Sequence, residues 1–152
     1  VFNLPNSAFI ARKAIAAKGL KYDVTVHEGD FLVDELPIGF DRILYSRVLC
    51  DWSPEVCLMQ FQKARRALAP GGKLIINECF LEGNLELSIS WEYRYIFYDT
   101  FGRAMYKPLE VYRKLLSDAG FEVVKVFPIT MVISHICIER KDFATPLVVT
   151  SI

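Results

Sequence analysis

Three short polar marks, each beside an apolar strand-like run, constrain this chain more than any other feature. Gly29-Asp30-Phe31 follows the alternating, β-branched run Asp23–His27. Leu49-Cys50-Asp51-Trp52 follows the apolar run Phe40–Val48. Pro70-Gly71-Gly72-Lys73 turns the chain into a third run, Lys73–Cys79, which carries Asn77 and Glu78 near its end. Runs of this length and composition read as strands. Helical stretches lie between them. Val1–Asn3 reads as the end of a strand, after which Pro5 opens a helix over about Asn6–Lys18 that Gly19 stops. Ser53-Pro54-Glu55 starts another, whose Val56, Met59, Phe61, Ala64 and Leu68 fit a helix lying on a sheet. Serine at the cap, proline at the first helical position and glycine past the end are start and stop signals with a backbone cause.

Strands alternating with helices predict an α/β fold with a three-layer, mostly parallel sheet, whose ligand crevice lies at the carboxyl ends of the strands. Beyond the third run, Leu85–Phe101 reads as a helix ending near Gly102. A further helix starts at Lys107-Pro108-Leu109-Glu110 and carries Val111, Leu115, Leu116 and Ala119 on one face, with Gly120 as its terminator. Glu122–Pro128 and Met131–Arg140, separated by a very short turn, predict an antiparallel hairpin that supplies an antiparallel strand at one edge of the sheet. Phe143–Ile152 is an apolar tail with no assigned form.

Composition excludes several classes. The 152 residues fit one domain by length, and 53% are hydrophobic, too many for a disordered chain. A formal net charge of +0 offers no field for a polyphosphate backbone, so nucleic acid is not an expected partner. No apolar run approaches the ~18 residues of a membrane helix. Cys50, Cys57, Cys79 and Cys137 form no Cys-x-x-Cys pair and fall in apolar runs, which reads as reduced thiols and a cytoplasmic protein without a metal site. His27 and His135 read as structural histidines on strands. The first residue is Val1, and the chain is expected to lie within a longer protein.

Taken in order, the motifs Phe2-Asn3-Leu4-Pro5, Gly29-Asp30-Phe31, Ser46-Arg47-Val48-Leu49-Cys50-Asp51-Trp52, Pro70-Gly71-Gly72-Lys73-Leu74-Ile75-Ile76-Asn77-Glu78 and Ala119-Gly120-Phe121 resemble the S-adenosylmethionine-dependent O-methyltransferases. The nearest branch is the caffeate, hydroxyindole and polyketide-tailoring type, and the resemblance covers about Val1 to Arg140. It implies a Rossmann-like class I methyltransferase sheet with strand order 3-2-1-4-5-7-6. Val1–Asn3 would then end strand 2. Strand 1, the glycine-rich loop after it and the N-terminal dimerisation domain are not found here, so residues 1–152 would be one partial cofactor-binding domain of a homodimer.

The resemblance also assigns roles. Asp30 accepts from the adenine amino group and Phe31 covers the ring, with Gly29 and Leu4 beside them. Asn3 stands where the family usually has an acid on the ribose hydroxyls, Ser46 touches the cofactor and Trp52 lies near the adenine. Each has a plainer structural reading as well: Asp30 as a turn residue, Asn3 as a cap before the Pro5 helix, Trp52 as a core anchor. The acceptor, a small aromatic molecule, would be lined by Trp91, Tyr95, Tyr98 and Met105, in a block rich in aromatic residues. The products would be a methylated hydroxyl and S-adenosylhomocysteine.

Cys50 is the oddity. The family's general base at this place is a histidine, oriented by two acids. Glu78 matches one acid, whereas Ala104 falls where the second belongs. A thiol of ordinary pKa ~8.5 is a poor base near pH 7. Cys50 therefore reads either as a small buried residue or, with Asp51 and Glu78, as part of an altered catalytic group. Two alternatives to methyl transfer stay open: a family member that hydroxylates or decarboxylates, and a non-catalytic homologue that binds a ligand.

Overall fold

The computed structural model describes residues 1–78, 80, 89, 106–128 and 134–140. In chain order they form β1 (Phe2–Asn3), α1 (Pro5–Ala17), β2 (His27–Glu28), β3 (Phe40–Ser46), a single 3-10 turn at Leu49–Asp51, α2 (Pro54–Ala67), β4 (Leu68–Glu78), α3 (Leu109–Asp118), β5 (Phe121–Pro128) and β6 (Ser134–Arg140). Local chemistry sets the helix ends. Ser53 Oγ accepts from the Val56 N–H at 3.4 Å, and Pro54 occupies the first position of α2, where a missing N–H costs nothing. Gly19, at φ 73°, follows α1 in the left-handed region that suits glycine.

Among the described residues, strand bounds differ from the sequence expectation by two residues or more in three places. The strand expected over Asp23–His27 is only His27–Glu28, because the N–H groups of Asp23 and Val24 both close back on Leu20 O at 3.0 Å. β3 stops at Ser46 rather than Val48, because Arg47 takes φ 56° and turns the backbone out of the extended region. β4 starts at Leu68 rather than Lys73. The Pro70-Gly71-Gly72 segment stays within the strand as an irregularity, with Phe40 opposite Leu68 and Arg42 already opposite Lys73. A β-carbon on Gly72 would lie 2.8 Å from Ala69 O, so only glycine lets the backbone pass that close.

Among the described residues the sheet comes in two pieces. β1 and β2 pair in parallel, and β3-β4-β6-β5 form a four-stranded sheet. β3 and β4 are parallel, and β6 runs antiparallel to both β4 and β5; the closing hairpin is there, but its antiparallel strand β6 lies inside the sheet and β5 takes the edge. Placed side by side, β2-β1 and β3-β4-β6-β5 reproduce the order implied by the resemblance with its central position unfilled among the described residues. At that position lies a cavity of about 220 Å³ lined by Phe2 and His27 on one side and Phe40, Arg42, Ile43 and Leu44 on the other.

Alternation along the strands decides which face is core. Ile43 and Tyr45 on β3, and Leu74 and Ile76 on β4, point toward α2 and α3. There they join Leu49, Cys57, Phe61, Ala64, Tyr112, Leu116 and Phe121 in one buried cluster. Phe61 is fully enclosed, and truncation to alanine at such a site costs about 3–5 kcal/mol. Leu44, on the opposite face of β3, is 60% exposed.

Candidate functional site

The site is built from two lips at the carboxyl ends of β2 and β3. The first lip is the loop after β2. Asp30 Oδ1 accepts from the Leu32 N–H at 2.9 Å, and the Asp30 N–H donates to Asp34 Oδ2 at 2.8 Å. This is the turn role open to an aspartate, and it engages one carboxylate oxygen. α2 holds the loop from below. Gln60 Nε2 and Lys63 Nζ each donate to Phe31 O at 2.8 Å, and Lys63 also reaches Asp34 O at 2.7 Å. Asn3 lies at the end of β1, opposite Glu28, and its carbonyl accepts from the Gly29 N–H at 3.0 Å. Its side-chain Oδ1 takes the Leu4 N–H at 2.9 Å, and Leu4 is half exposed.

The second lip is the turn after β3. Ser46 Oγ accepts from Asn77 Nδ2 at 3.0 Å across the β3–β4 pair. Arg47 follows in its left-handed conformation, which costs a non-glycine residue about 1–3 kcal/mol and throws the chain into the Leu49–Asp51 turn. The two lips meet where the Phe31 and Trp52 rings pack edge to face, with centroids 5.3 Å apart and planes at 88°. Asn77 Oδ1 is buried and has no hydrogen-bond partner among the described residues.

Cys50 and Asp51 sit in the turn. The Cys50 thiol is buried and lies 3.5 Å from Asp51 Oδ1. Burial pushes this thiol far above its ordinary range, and the neighbouring Glu78 and Asp51 carboxylates push it further. Near neutral pH it is an uncharged thiol, not a base. Glu78 is fully buried at the end of β4, and its Oε1 accepts from the N–H groups of Val48 at 2.6 Å and Leu49 at 2.8 Å. Burial raises its carboxyl above the usual range, although the Leu49 and Val48 N–H bonds pull the other way.

The structure therefore gathers Gly29, Asp30, Phe31, Asn3 and Leu4 at one lip and Ser46, Cys50, Asp51, Trp52 and Glu78 at the other. Trp91, Tyr95, Tyr98 and Met105 lie outside the described residues. Sequence reasoning missed the polar residues beneath the lips, namely Gln60, Lys63 and Lys107. Gln60 and Lys63 carried a signal, since they interrupt the apolar face of α2 three residues apart. Lys107, before the proline that begins α3, carried none. Among the described residues no group of three metal-binding side chains occurs, and no helix is long and apolar enough to cross a membrane.

A family model described as an O-methyltransferase domain matches residues 1–122. The chain belongs to that family. Demethylspheroidene O-methyltransferase of Cereibacter sphaeroides is 31% identical over 128 residues, 84% of this chain and 34% of that protein. Aclacinomycin 10-hydroxylase RdmB of Streptomyces purpurascens is 46% identical over 66 residues, 43% of this chain and 17% of that protein. Among solved structures, the S-adenosylmethionine-dependent methyltransferase SibL in its apo form superposes with a TM-score of 0.83 at 28% identity, over 92% of this chain and 42% of that one. This O-methyltransferase-family chain has the Rossmann-like class I methyltransferase fold, and it spans about a third of the first curated relative it matches.

Proposed function

We propose that these residues form the cofactor-binding part of an S-adenosylmethionine-dependent O-methyltransferase acting on a hydroxyl of a small aromatic or polyketide-like molecule. One observation carries this reading: the Phe31–Trp52 contact joins the loop after β2 to the turn after β3 at one end of the sheet. An apolar wall beside a carboxylate suits a purine with an exocyclic amino group. Asp30 accepts that amino group, Phe31 and Trp52 cover the ring, and Asn3, Leu4 and Gly29 flank the ribose. Ser46 borders the cofactor from the β3 side, where the buried Asn77 Oδ1, without a partner among the described residues, can take a donor. The residues present thus fit the adenosine half of the cofactor.

S-adenosylmethionine supplies an electrophilic methyl on a sulfonium. The chain's own residues have to place the acceptor oxygen and take its proton. Cys50 stays neutral and serves as a small wall. Glu78 Oε1 is committed to the Val48 and Leu49 N–H groups. Glu78 Oε2 is buried, so Asp51, only half-buried, is the carboxylate within easier reach of the hydroxyl proton, and Trp91, Tyr95, Tyr98 and Met105 belong to the same proposal as acceptor residues. Rate then comes mainly from alignment, which is worth up to roughly 7–11 kcal/mol in well-oriented systems.

A second reading, a family member that oxygenates its substrate, is favoured by Cys50 in the base position and by the likeness to a protein named as a hydroxylase. Incubating the full-length protein with methyl-labelled cofactor and a panel of phenols separates the two. Label on any hydroxyl supports methyl transfer, and bound cofactor with oxygenated product supports the second reading. No heat of binding with S-adenosylmethionine or S-adenosylhomocysteine would instead point to a non-catalytic homologue. A cytoplasmic homodimer belongs to the same proposal, and light scattering on the full-length protein tests the dimer.

A further inference from the structure

We propose that Lys107 is a positioning residue that, together with Glu78, clamps the Leu49–Asp51 turn by its two ends and so sets where Cys50 and Asp51 point. The inference rests on the proposed function for its consequence in catalysis, and on the geometry alone for the clamp. A single 3-10 turn leaves most of its terminal N–H and C=O groups without internal partners. Here even the internal bonds are long: the Asp51 N–H reaches Val48 O at 3.3 Å, and the Trp52 N–H reaches Leu49 O at 3.3 Å. The shape of the turn is therefore imposed from outside.

Two buried ionisable groups impose it. Glu78 Oε1 collects the N–H groups of Val48 and Leu49 at the start of the turn. Lys107 Nζ donates to Leu49 O at 2.9 Å and to Trp52 O at 2.7 Å at its end. The arrangement suits the turn's own dipole, with the carboxyl oxygen at the N–H end and the amine donor at the C=O end. Lys107 is 5% exposed, and its ammonium also lies 5.5 Å from the centre of the Tyr112 ring. The Cys57 thiol backs up the same two carbonyls, 3.5 Å from Leu49 O and 3.8 Å from Trp52 O. Glu78 comes from β4 and Lys107 from the entry to α3, so two separate elements converge on one turn. A lysine this deeply buried is costly unless its donors are used, and the carbonyls it serves belong to the segment that carries Cys50 and Asp51.

The test uses the full-length protein and two readouts. The first is the rate at which iodoacetamide labels Cys50, followed by mass spectrometry of its peptide. Lys107→Met is expected to label at Cys50 at least tenfold faster than the unmodified protein, whereas Lys107→Arg, which keeps donors at that place, stays within threefold. The second is methyl transfer, where Lys107→Met lowers kcat by roughly 10–100-fold while the cofactor Kd from calorimetry moves less than threefold. An unchanged Cys50 labelling rate in a folded Lys107→Met protein overturns the clamp. So does a Lys107→Arg protein that labels as fast as Lys107→Met. Should Lys107→Met fail to fold, Lys107→Gln, whose uncharged amide is one bond shorter and cannot span both carbonyls, takes its place under the same criterion. A full-length protein that transfers no methyl refutes the proposed function but leaves the labelling readout to judge the clamp by itself.

Discussion

Phe31 meets Trp52 edge to face, with ring centroids 5.3 Å apart. Aromatic pairs of this kind are coupled by about 0.5–1.5 kcal/mol beyond the area they bury. In the full-length protein, Phe31→Leu and Trp52→Leu are each expected to weaken S-adenosylmethionine binding. A double-mutant cycle on urea unfolding should return a coupling within that range. Strictly additive effects on unfolding would mean that the two lips are not joined through these rings.

Glu78 makes a prediction about pH. Its carboxyl is raised by burial in the folded protein. A raised group contributes stability that is fully present below its unfolded pKa, about 4.3, and is lost as pH rises through the folded value. Glu78→Gln keeps an oxygen for the Val48 and Leu49 N–H groups and cannot ionise. The stability of the unmodified protein minus that of Glu78→Gln should therefore fall as pH rises from about 4, until Glu78 is ionised in both states. Urea unfolding at a series of pH values measures this, and a difference that is flat with pH contradicts it. Glu78→Ala strands both N–H groups at roughly 1–3 kcal/mol each and should be the less stable variant throughout.

Cys50→His places an imidazole beside two carboxylates, Asp51 and Glu78. Because Cys50 is not among the proposed cofactor residues, cofactor affinity should change less than tenfold. Transfer to weakly acidic phenols should rise, with a pH profile that reports a base titrating near neutrality. The larger side chain should also cost about 1–3 kcal/mol, since Cys50 is only 3% exposed. A tenfold or greater loss in calorimetry with S-adenosylmethionine would place Cys50 against the cofactor instead.

Gly29→Ala tests the first lip. A β-carbon at Gly29 would lie 2.4 Å from Phe2 Cζ and 2.6 Å from Phe2 Cε2, so the Phe2 ring has to give way. Overpacking of this kind costs about 1–3 kcal/mol. Thermal unfolding and cofactor calorimetry on the full-length variant should both show a loss. Unchanged values in both would mean that the ring turns aside freely and that the β1–β2 pair does not set the loop.

The legible parts of this fold were those written in local chemistry. Ser53-Pro54 and Gly19 marked helix ends because caps and left-handed turns need particular residues. The hairpin was legible from two β-rich runs and a short connection, and the parallel core from apolar runs between helices. What the sequence hid was non-local. Nothing in Asp23–Val26 announces that its N–H groups turn back on Leu20 O, and Arg47 is not a residue that advertises a positive φ. At the candidate site, Asp30, Phe31, Ser46, Cys50, Trp52 and Glu78 stand at or just past the ends of strand-like runs, and their roles were implied by the resemblance. Lys107 could not, because its partners Leu49 O and Trp52 O are backbone atoms more than fifty positions away and leave no pattern in side-chain identity.

The hollow between β1 and β3 has a practical consequence. Among the described residues β3 is an edge strand of its sheet, with Phe40 46% and Leu44 60% exposed, so its outer row of backbone donors and acceptors lies beside oily side chains with no described strand against it. Such an edge is a template for any passing strand, including one from a neighbouring molecule. Anyone handling these residues by themselves should expect turbidity that grows with protein concentration, and should find that a short, soluble peptide with alternating valines and charges clears it.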